Sequence, residues 1–130
     1  MKIVNEFPPN FEFIKALNPP KTAVFPYGDT IFNPYNQVIY PDIEEHEKVH
    51  QRQQGDDPDI WWRRYITDSK FRLNQEVEAY AHQYRYWKKI RATNKELKNI
   101  LHDLTTLLTN DYQLNITYQQ VENLIRRKHG

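Results

Sequence analysis

Residues 46–50 read His46-Glu47-Lys48-Val49-His50, and this short stretch decides how the chain is interpreted. On an α-helix, residues four apart lie about 40° apart around the axis, so the two imidazoles share one side. Two imidazoles at this spacing can bind one metal ion, and Glu47 can face a water molecule on the open side of that ion. The pattern therefore predicts a metal site on a helix, with His46 and His50 as ligands.

The flanking residues predict where this helix begins and ends. Asp42 is a good N-cap residue, and Glu45 stands three residues later, which is the spacing of a capping box. Gly55 is a natural stop at the C-terminal end. We therefore expect a helix over residues 43–54.

The apolar residues of this helix predict which of its sides is buried. Ile43 and Val49 fall on the same side as His46, His50 and Gln53. If that side faces the protein, both imidazoles are buried and each needs a partner. A shared metal ion is the simplest partner, and the alternative is a surface helix with two solvated histidines.

The composition favours one small domain over residues 1–130. The chain has 130 residues, a formal net charge of +1 and no cysteine. Near-neutral charge predicts neither a nucleic-acid nor a membrane partner, and without cysteine a metal site must use histidine and carboxylate. The sequence has no apolar run typical of a signal peptide or membrane span. We therefore expect a cytoplasmic protein or one packaged in a virion.

The N-terminal part of the chain predicts a small β-hairpin or meander. Residues 1–21 are interrupted by prolines and are typical of an extended arm with one helical turn at 11–17. The expected strands cover 22–27, 30–32 and 37–40, with Gly28-Asp29 after the first and a type I turn at 33–36 joining the other two into a hairpin.

Four further helices are expected after the metal helix. Their start signals are Asp57-Pro58 for a short helix through Trp61, Trp62 and Tyr65, Asp68 for a long helix over 69–91, Thr93 with Glu96 for a helix through Leu108, and Thr117 with Gln120 for a helix to about Lys128. The order of elements predicts an α+β fold that is mostly helical, with a metal-site core over 22–92 and C-terminal helices over 93–130.

The long helix offers candidates for a third metal ligand. On a helical wheel, Glu76 lies in the middle of an apolar and aromatic stripe, whereas Glu78 and His82 point away from it. A carboxylate inside such a stripe is costly unless it is paired or bound to metal, which favours Glu76 as the ligand. The alternative is a salt bridge from Glu76 to an arginine, such as Arg63 or Arg64.

The run Glu76-Val77-Glu78-Ala79-Tyr80, downstream of the histidine motif, resembles the E-x-E-A-x stretch of gluzincin metallopeptidases. In that family the first Glu completes a zinc site from a second helix, and the matching position here is Glu76. Residues 46–53 also resemble small peptidases of phage genomes and toxin-delivery systems. The resemblance implies a zincin-like pair of metal-binding helices, although Tyr80 replaces the Asp that is usual in membrane-bound gluzincins.

Taken together, the motifs predict a zinc metalloendopeptidase that acts on a peptide or protein. His46, His50 and Glu76 would hold Zn²⁺, and Glu47 would act as general base. Tyr80 is the nearest candidate to stabilise the oxyanion, ahead of Tyr84 and His102, although a packed aromatic residue is the commoner role. The expected hairpin offers an edge to which an extended peptide could add as a strand.

Two other interpretations remain open from the sequence. The metal could be a structural staple in an adaptor or virion protein. Alternatively, an aromatic-rich surface of Trp61, Trp62, Tyr65 and Trp87 could bind a partner without any metal, although core packing suits these residues better. The sequence leaves the oligomeric state open.

Overall fold

The computed structural model describes residues 2–112 and 114–129 and has the expected α+β, mostly helical architecture. The strands are β1 (Lys2–Val4), β2 (Phe25–Tyr27) and β3 (Thr30–Phe32). The helices are α1 (Phe11–Ile14, continued by a 3-10 turn over Lys15–Leu17), α2 (Pro41–Gln54), α3 (Pro58–Thr67), α4 (Ser69–Lys89), α5 (Asn94–Asp111) and α6 (Tyr118–His129). None of these described helices is long and apolar enough to cross a membrane.

The three strands form one small sheet whose hairpin differs from the expected one. The strand order is β1-β3-β2, with β1 parallel to β3 and β2 antiparallel to it. The hairpin joins β2 to β3 through Gly28-Asp29, where Gly28 takes a φ of 62° that a residue with a side chain adopts at a cost. The predicted pairing of 30–32 with 37–40 is therefore wrong, and residues 37–40 form no strand.

The side chain of Asn33 explains why the chain does not fold back after β3. Its amide donates to the backbone oxygen of Gln37 at 2.8 Å and accepts from the backbone nitrogen of Gln37 at 2.9 Å. The predicted turn at 33–36 does form, closed by a bond from Asn36 N to Asn33 O at 3.3 Å. Since Asn33 takes up the backbone groups of Gln37, the segment leaves the sheet and leads into α2.

The first residues of the chain are part of the sheet and not a free arm. Residues Lys2–Val4 pair with Thr30–Phe32, which corrects the expectation of an extended arm over 1–21. The predicted helical turn at 11–17 is confirmed, because α1 and the 3-10 turn cover that range.

Helix α2 begins earlier than expected and is not capped by Asp42. Tyr40 is the N-cap and Pro41 takes the first helical position, where a missing backbone N–H costs nothing. Asp42 instead accepts hydrogen bonds from Gln83 Nε2 at 2.7 Å and Trp87 Nε1 at 3.3 Å, both on α4. Glu45 pairs with Lys48 and His82 rather than closing a capping box. The stop at Gly55 is confirmed.

The other helix starts follow their sequence signals. Asp57 and Asp68 accept from the backbone nitrogens of Ile60 and Phe71, each at 3.1 Å. Thr93 and Glu96 form both bonds of a capping box at the start of α5. Thr117 and Gln120 exchange the equivalent pair before α6, at 3.0 and 3.2 Å. These local polar patterns predicted the helix starts because their partners lie within three residues.

Two apolar clusters meet on α4. The aromatic core contains the buried residues Ile14, Phe25, Trp61, Trp62 and Tyr65. The C-terminal core contains Val77, Tyr80, Tyr84, Leu101, Leu104, Leu108, Val121 and Ile125. Trp61, Trp62 and Tyr65 are each 5% exposed, so the alternative of an aromatic partner surface is wrong for these three residues.

Candidate metal centre

Helices α2 and α4 bring together the three residues that the sequence predicted as metal ligands. His46 and His50 lie on consecutive turns of α2, and Glu76 faces them from α4. Their ligand atoms lie within 4.8 Å of one another, and all three side chains are buried. We call these three residues the His-His-Glu cluster.

The distances within the cluster are short on every side. His46 Nε2 lies 3.2 Å from Glu76 Oε1, and His50 Nε2 lies 3.1 Å from Glu76 Oε2. The two Nε2 atoms are 3.2 Å apart. The alternative, a salt bridge from Glu76 to an arginine such as Arg63 or Arg64, is wrong, because the described ion pairs of Glu76 are with the two histidines and both arginines are exposed.

A glutamine fixes the orientation of the His46 ring. The Asp42 carboxylate can only accept hydrogen bonds, so the group that contacts it at 2.7 Å must be the Nε2 amide of Gln83. The oxygen of the same amide therefore faces His46. That oxygen lies 2.9 Å from His46 Nδ1. The hydrogen of a neutral His46 therefore belongs on Nδ1, and its Nε2 carries a lone pair directed at the cluster.

His50 is held in the same way by a second glutamine. Gln53 Nε2 donates to the backbone oxygen of Gln75 at 3.1 Å and to Glu78 Oε1 at 2.8 Å. Gln53 Oε1 therefore faces His50 Nδ1, at 2.8 Å. We call Gln53 and Gln83 the outer glutamines. The sequence had placed Gln53 on the buried side, but neither glutamine was expected to orient a ring.

This arrangement directs three electron-pair donors at one point. Two imidazole lone pairs and a carboxylate oxygen converge, and they repel one another unless a cation or a proton lies between them. Burial is the largest single influence on His50 and alone would lower its pKa, but Glu76, Glu47 and Gln53 together outweigh it and raise that pKa to about 9. Burial alone would raise the pKa of the Glu76 carboxyl, but His50 and His46 outweigh burial and hold that pKa well below its usual range. The cluster therefore has the electrostatics of a cation site, and two nitrogens with one oxygen suit Zn²⁺.

Tyr65 is a site residue that the sequence assigned to core packing or to a partner surface, and not to the metal site. Its hydroxyl donates to Glu76 Oε2 at 2.5 Å. Burial, followed by the neighbouring Glu76, raises the pKa of Tyr65 well above its usual value, so the hydroxyl keeps its proton. The bond restrains the Glu76 carboxylate while leaving Oε1 directed at the two histidines. A helical wheel of α3 carries no signal for this contact, because the partner lies on another helix.

Glu47 is buried beside the cluster without a partner of its own. It is 7% exposed, and its Oε2 atom has no hydrogen-bond partner among the described residues. Burial raises the pKa of Glu47, only partly opposed by His46 and His50. A buried carboxylate oxygen without a partner is costly, so its position calls for a ligand or water.

A cavity of about 280 Å³ opens beside these groups. Glu47 and the whole His-His-Glu cluster line it, together with Arg72 and apolar residues of the segment 14–26. The cluster and Glu47 therefore border open space rather than solid packing.

The three candidates for the oxyanion donor lie in different places. Tyr80 lines the cavity, with its ring centroid 4.4 Å from that of His46, and its hydroxyl shares a 2.9 Å hydrogen bond with the hydroxyl of Tyr112. Tyr84 is packed in the C-terminal core. His102 lies on α5, bonded to Tyr118, away from the cavity lining. Tyr80 is therefore the one of the three beside the cluster, and its role as donor stays a prediction.

The expected strand edge for a peptide is closed. Pro26, in the middle of β2, has no backbone N–H, and its carbonyl already accepts from Gln54 Nε2 at 2.7 Å and Trp62 Nε1 at 2.9 Å. The next backbone nitrogen, that of Gly28, donates to Gln54 Oε1 at 2.8 Å. Strand addition is therefore excluded at the β2 edge, and the hairpin of 30–32 with 37–40 that was expected to offer an edge does not form.

Comparisons with models of protein families, with curated proteins and with solved structures found no match to this chain. The resemblance to gluzincins therefore depends on the two motifs in α2 and α4.

Proposed function

We propose that the protein is a zinc metallopeptidase, with His46, His50 and Glu76 as the metal ligands. The convergence of three electron-pair donors, two of them oriented by the outer glutamines, is the observation that supports this proposal most. Metal-ligating histidines characteristically donate a hydrogen bond from the N–H of their second ring nitrogen to an outer partner, and the glutamine oxygens are placed to accept such bonds here. When bound, zinc polarises a carbonyl group and lowers the pKa of a coordinated water.

Glu47 is the general base in this proposal. It follows His46 directly, so it is rotated about 100° from that ligand around α2 and cannot easily join the same ion. Its buried, unpaired Oε2 and its place in the cavity lining suit a group that takes a proton from water and passes it to a leaving amine. Tyr80 is the proposed hydrogen-bond donor to the developing oxyanion, after its hydroxyl leaves Tyr112.

The test combines metal analysis with one isosteric substitution. Protein purified without added metal is expected to contain about one zinc per chain, because a catalytic site needs three protein ligands and one ion. Glu47→Gln should keep the zinc and lose activity on a diverse peptide library by about 100- to 10,000-fold, the usual contribution of a general base. Glu44→Gln, on the outer side of α2 beside Lys48, is the matched control and should cut normally.

Two results would contradict the proposal. If the purified protein contains no metal and its stability does not respond to zinc or a chelator, the proposed metal site is contradicted. Zinc-loaded wild type that cuts no peptide would leave the structural-zinc interpretation in its place, in which the ion holds α2 to α4.

A further inference from the structure

Arg72 is a buried cation on the wall of the cavity. It lies on α4 one turn before Glu76, is 5% exposed, and lines the same cavity as Glu47 and the His-His-Glu cluster. A guanidinium group keeps its positive charge in proteins, so burial here carries a cost in solvation that some partner must offset.

The partners of Arg72 are backbone carbonyls. Its Nη1 donates to Tyr65 O at 2.6 Å and Ile66 O at 3.3 Å, and its Nε donates to Tyr112 O at 3.0 Å. Tyr65 and Ile66 belong to the last turn of α3, where the helix dipole favours a cation. Among the described contacts, none uses Nη2 and none joins Arg72 to a carboxylate. The guanidinium is therefore stabilised by backbone carbonyls at a helix C-terminus, and these contacts supply no counter-ion.

The charges around the cavity favour an anionic ligand once the proposed metal is bound. The carboxylates of Glu47 and Glu76 together balance a divalent ion, and two neutral histidines add no charge. The positive charge of Arg72 then remains uncompensated among the residues that line the cavity. Inside a partly enclosed cavity, such a charge attracts a carboxylate more strongly than it would at the fully exposed surface.

The size and the lining of the cavity limit what can enter. Its volume of about 280 Å³ is at the lower end for a ligand pocket, so it admits a residue or two rather than a long segment. Away from the charged groups the wall is apolar, with Ile14, Phe25 and Trp62 among its residues. Since the β2 edge is closed as well, the end of a chain fits better than an extended internal stretch.

We propose that Arg72 binds the α-carboxylate of a peptide whose C-terminal residue is apolar. This inference rests on the proposed function and specifies it as the removal of a C-terminal residue, in place of the internal cleavage that the sequence motifs predicted. Water would be added across the last peptide bond, giving a shortened peptide and one free amino acid. Arg72 is then a substrate-binding residue, separate from the metal ligands and the base.

The test compares a carboxylate with its amide on zinc-loaded protein. The probes are N-acetylphenylalanine and N-acetylphenylalanine amide, with affinity measured by calorimetry. The wild type is expected to bind the acid at least about 10-fold more tightly, since a hydrogen bond to a charged group contributes about 1.5–3 kcal/mol. Equal affinity for acid and amide would overturn the inference.

Variants separate binding at Arg72 from direct binding at the metal. Arg72→Met should bring the acid and amide affinities close together, while Arg64→Met, which removes an exposed arginine stacked on Phe71, should keep the wild-type ratio. Arg72→Lys keeps a charge if the methionine variant does not fold, and the ratio should drop several-fold because an ammonium lacks the paired donors of a guanidinium. An unchanged ratio in either Arg72 variant overturns the inference.

Cleavage assays distinguish this inference from the proposed function. The wild type should release the terminal residue from a peptide acid and leave the matching peptide amide intact. Equal cleavage of both would overturn the role of Arg72 and leave zinc-dependent hydrolysis standing. A loaded protein that prefers the acid in binding but cuts neither peptide would support Arg72 and count against the proposed function.

Discussion

The two sides of α4 differ in polarity: the side toward α2 is polar, and the side toward α5 and α6 is apolar. Toward α2 the helix presents Glu76 and Gln83, which are buried among the histidines and Glu47. Toward α5 and α6 it presents Val77 and Tyr84, packed against the leucines of the C-terminal core. Removal of apolar surface from water stabilises the side toward α5 and α6, whereas the side toward α2 consists of buried polar groups, which are costly unless they are paired or bind a cation. One helix thus joins a region stabilised by apolar burial to a region of buried polar groups whose stability depends on how they are paired.

The largest expected effect on this comparison comes from the C-terminal core. Leu108 is 0% exposed, so Leu108→Ala should lower the free energy of unfolding by about 2–5 kcal/mol through lost burial and a cavity. Its neighbour Leu107 is 44% exposed, and Leu107→Ala should change little. Denaturant unfolding measures both. The folded Leu108→Ala protein should still bind zinc normally, and a large loss of zinc affinity would show that the two sides are not distinct.

The next effect concerns the ligand on the polar side. Glu76→Gln should lower zinc affinity by more than about 100-fold, beyond the usual cost of losing an outer partner, because it removes a ligand. Glu78→Gln is the comparison variant, since Glu78 is exposed and its described contact with the site is indirect, a 2.8 Å hydrogen bond from Gln53 Nε2 that a glutamine oxygen can still accept. Competition with a chromogenic chelator gives both affinities. Similar losses in the two variants would contradict the assignment of Glu76 to the cluster.

A smaller effect is expected from an outer glutamine. Gln83→Leu removes the acceptor for His46 Nδ1 and should lower zinc affinity by about 10- to 100-fold. Gln119→Leu, on the exposed surface of α6, should leave the affinity unchanged. If both proteins bind zinc equally, the orientation of the His46 ring does not depend on Gln83, and the polar side is less interdependent than its hydrogen bonds indicate.

The smallest effect tests the apolar side at its edge. Thr93→Ala removes one hydroxyl of the capping box that begins α5 and should cost about 1 kcal/mol of stability. Thermal unfolding measured with and without zinc checks two points together. The loss should be the same in both conditions, and a loss present only with zinc would tie the start of α5 to the metal site.

The sequence predicted the parts of this molecule whose causes are local. The spacing of His46 and His50, the wheel position of Glu76 and the caps at Asp57, Asp68 and Thr93 all depend on residues within a turn or two. Each of these was placed correctly, and the three candidate ligands do meet.

The misses involve partners that are distant in sequence. Asp42 has the sequence pattern of an N-cap residue, but its carboxylate instead accepts hydrogen bonds from Gln83 and Trp87 on another helix. Likewise, nothing in a helical wheel indicates that the Tyr65 hydroxyl reaches Glu76, or that residues 2–4 pair with β3. A local pattern offers a side chain one partner, and only the tertiary structure decides between competing ones.

Helix α4 contributes residues both to the His-His-Glu cluster and to the C-terminal core, and this has a consequence for local unfolding. Glu76 and Val77 are consecutive, so the turn that holds the ligand also holds the C-terminal core, and unwinding it disrupts both. Amide hydrogens in the middle of α4 should therefore be among the slowest in the chain to exchange with solvent. Zinc should slow them further, and this protection should extend to amides of α6 that never approach the ion, because the ion stabilises the helix on which they pack.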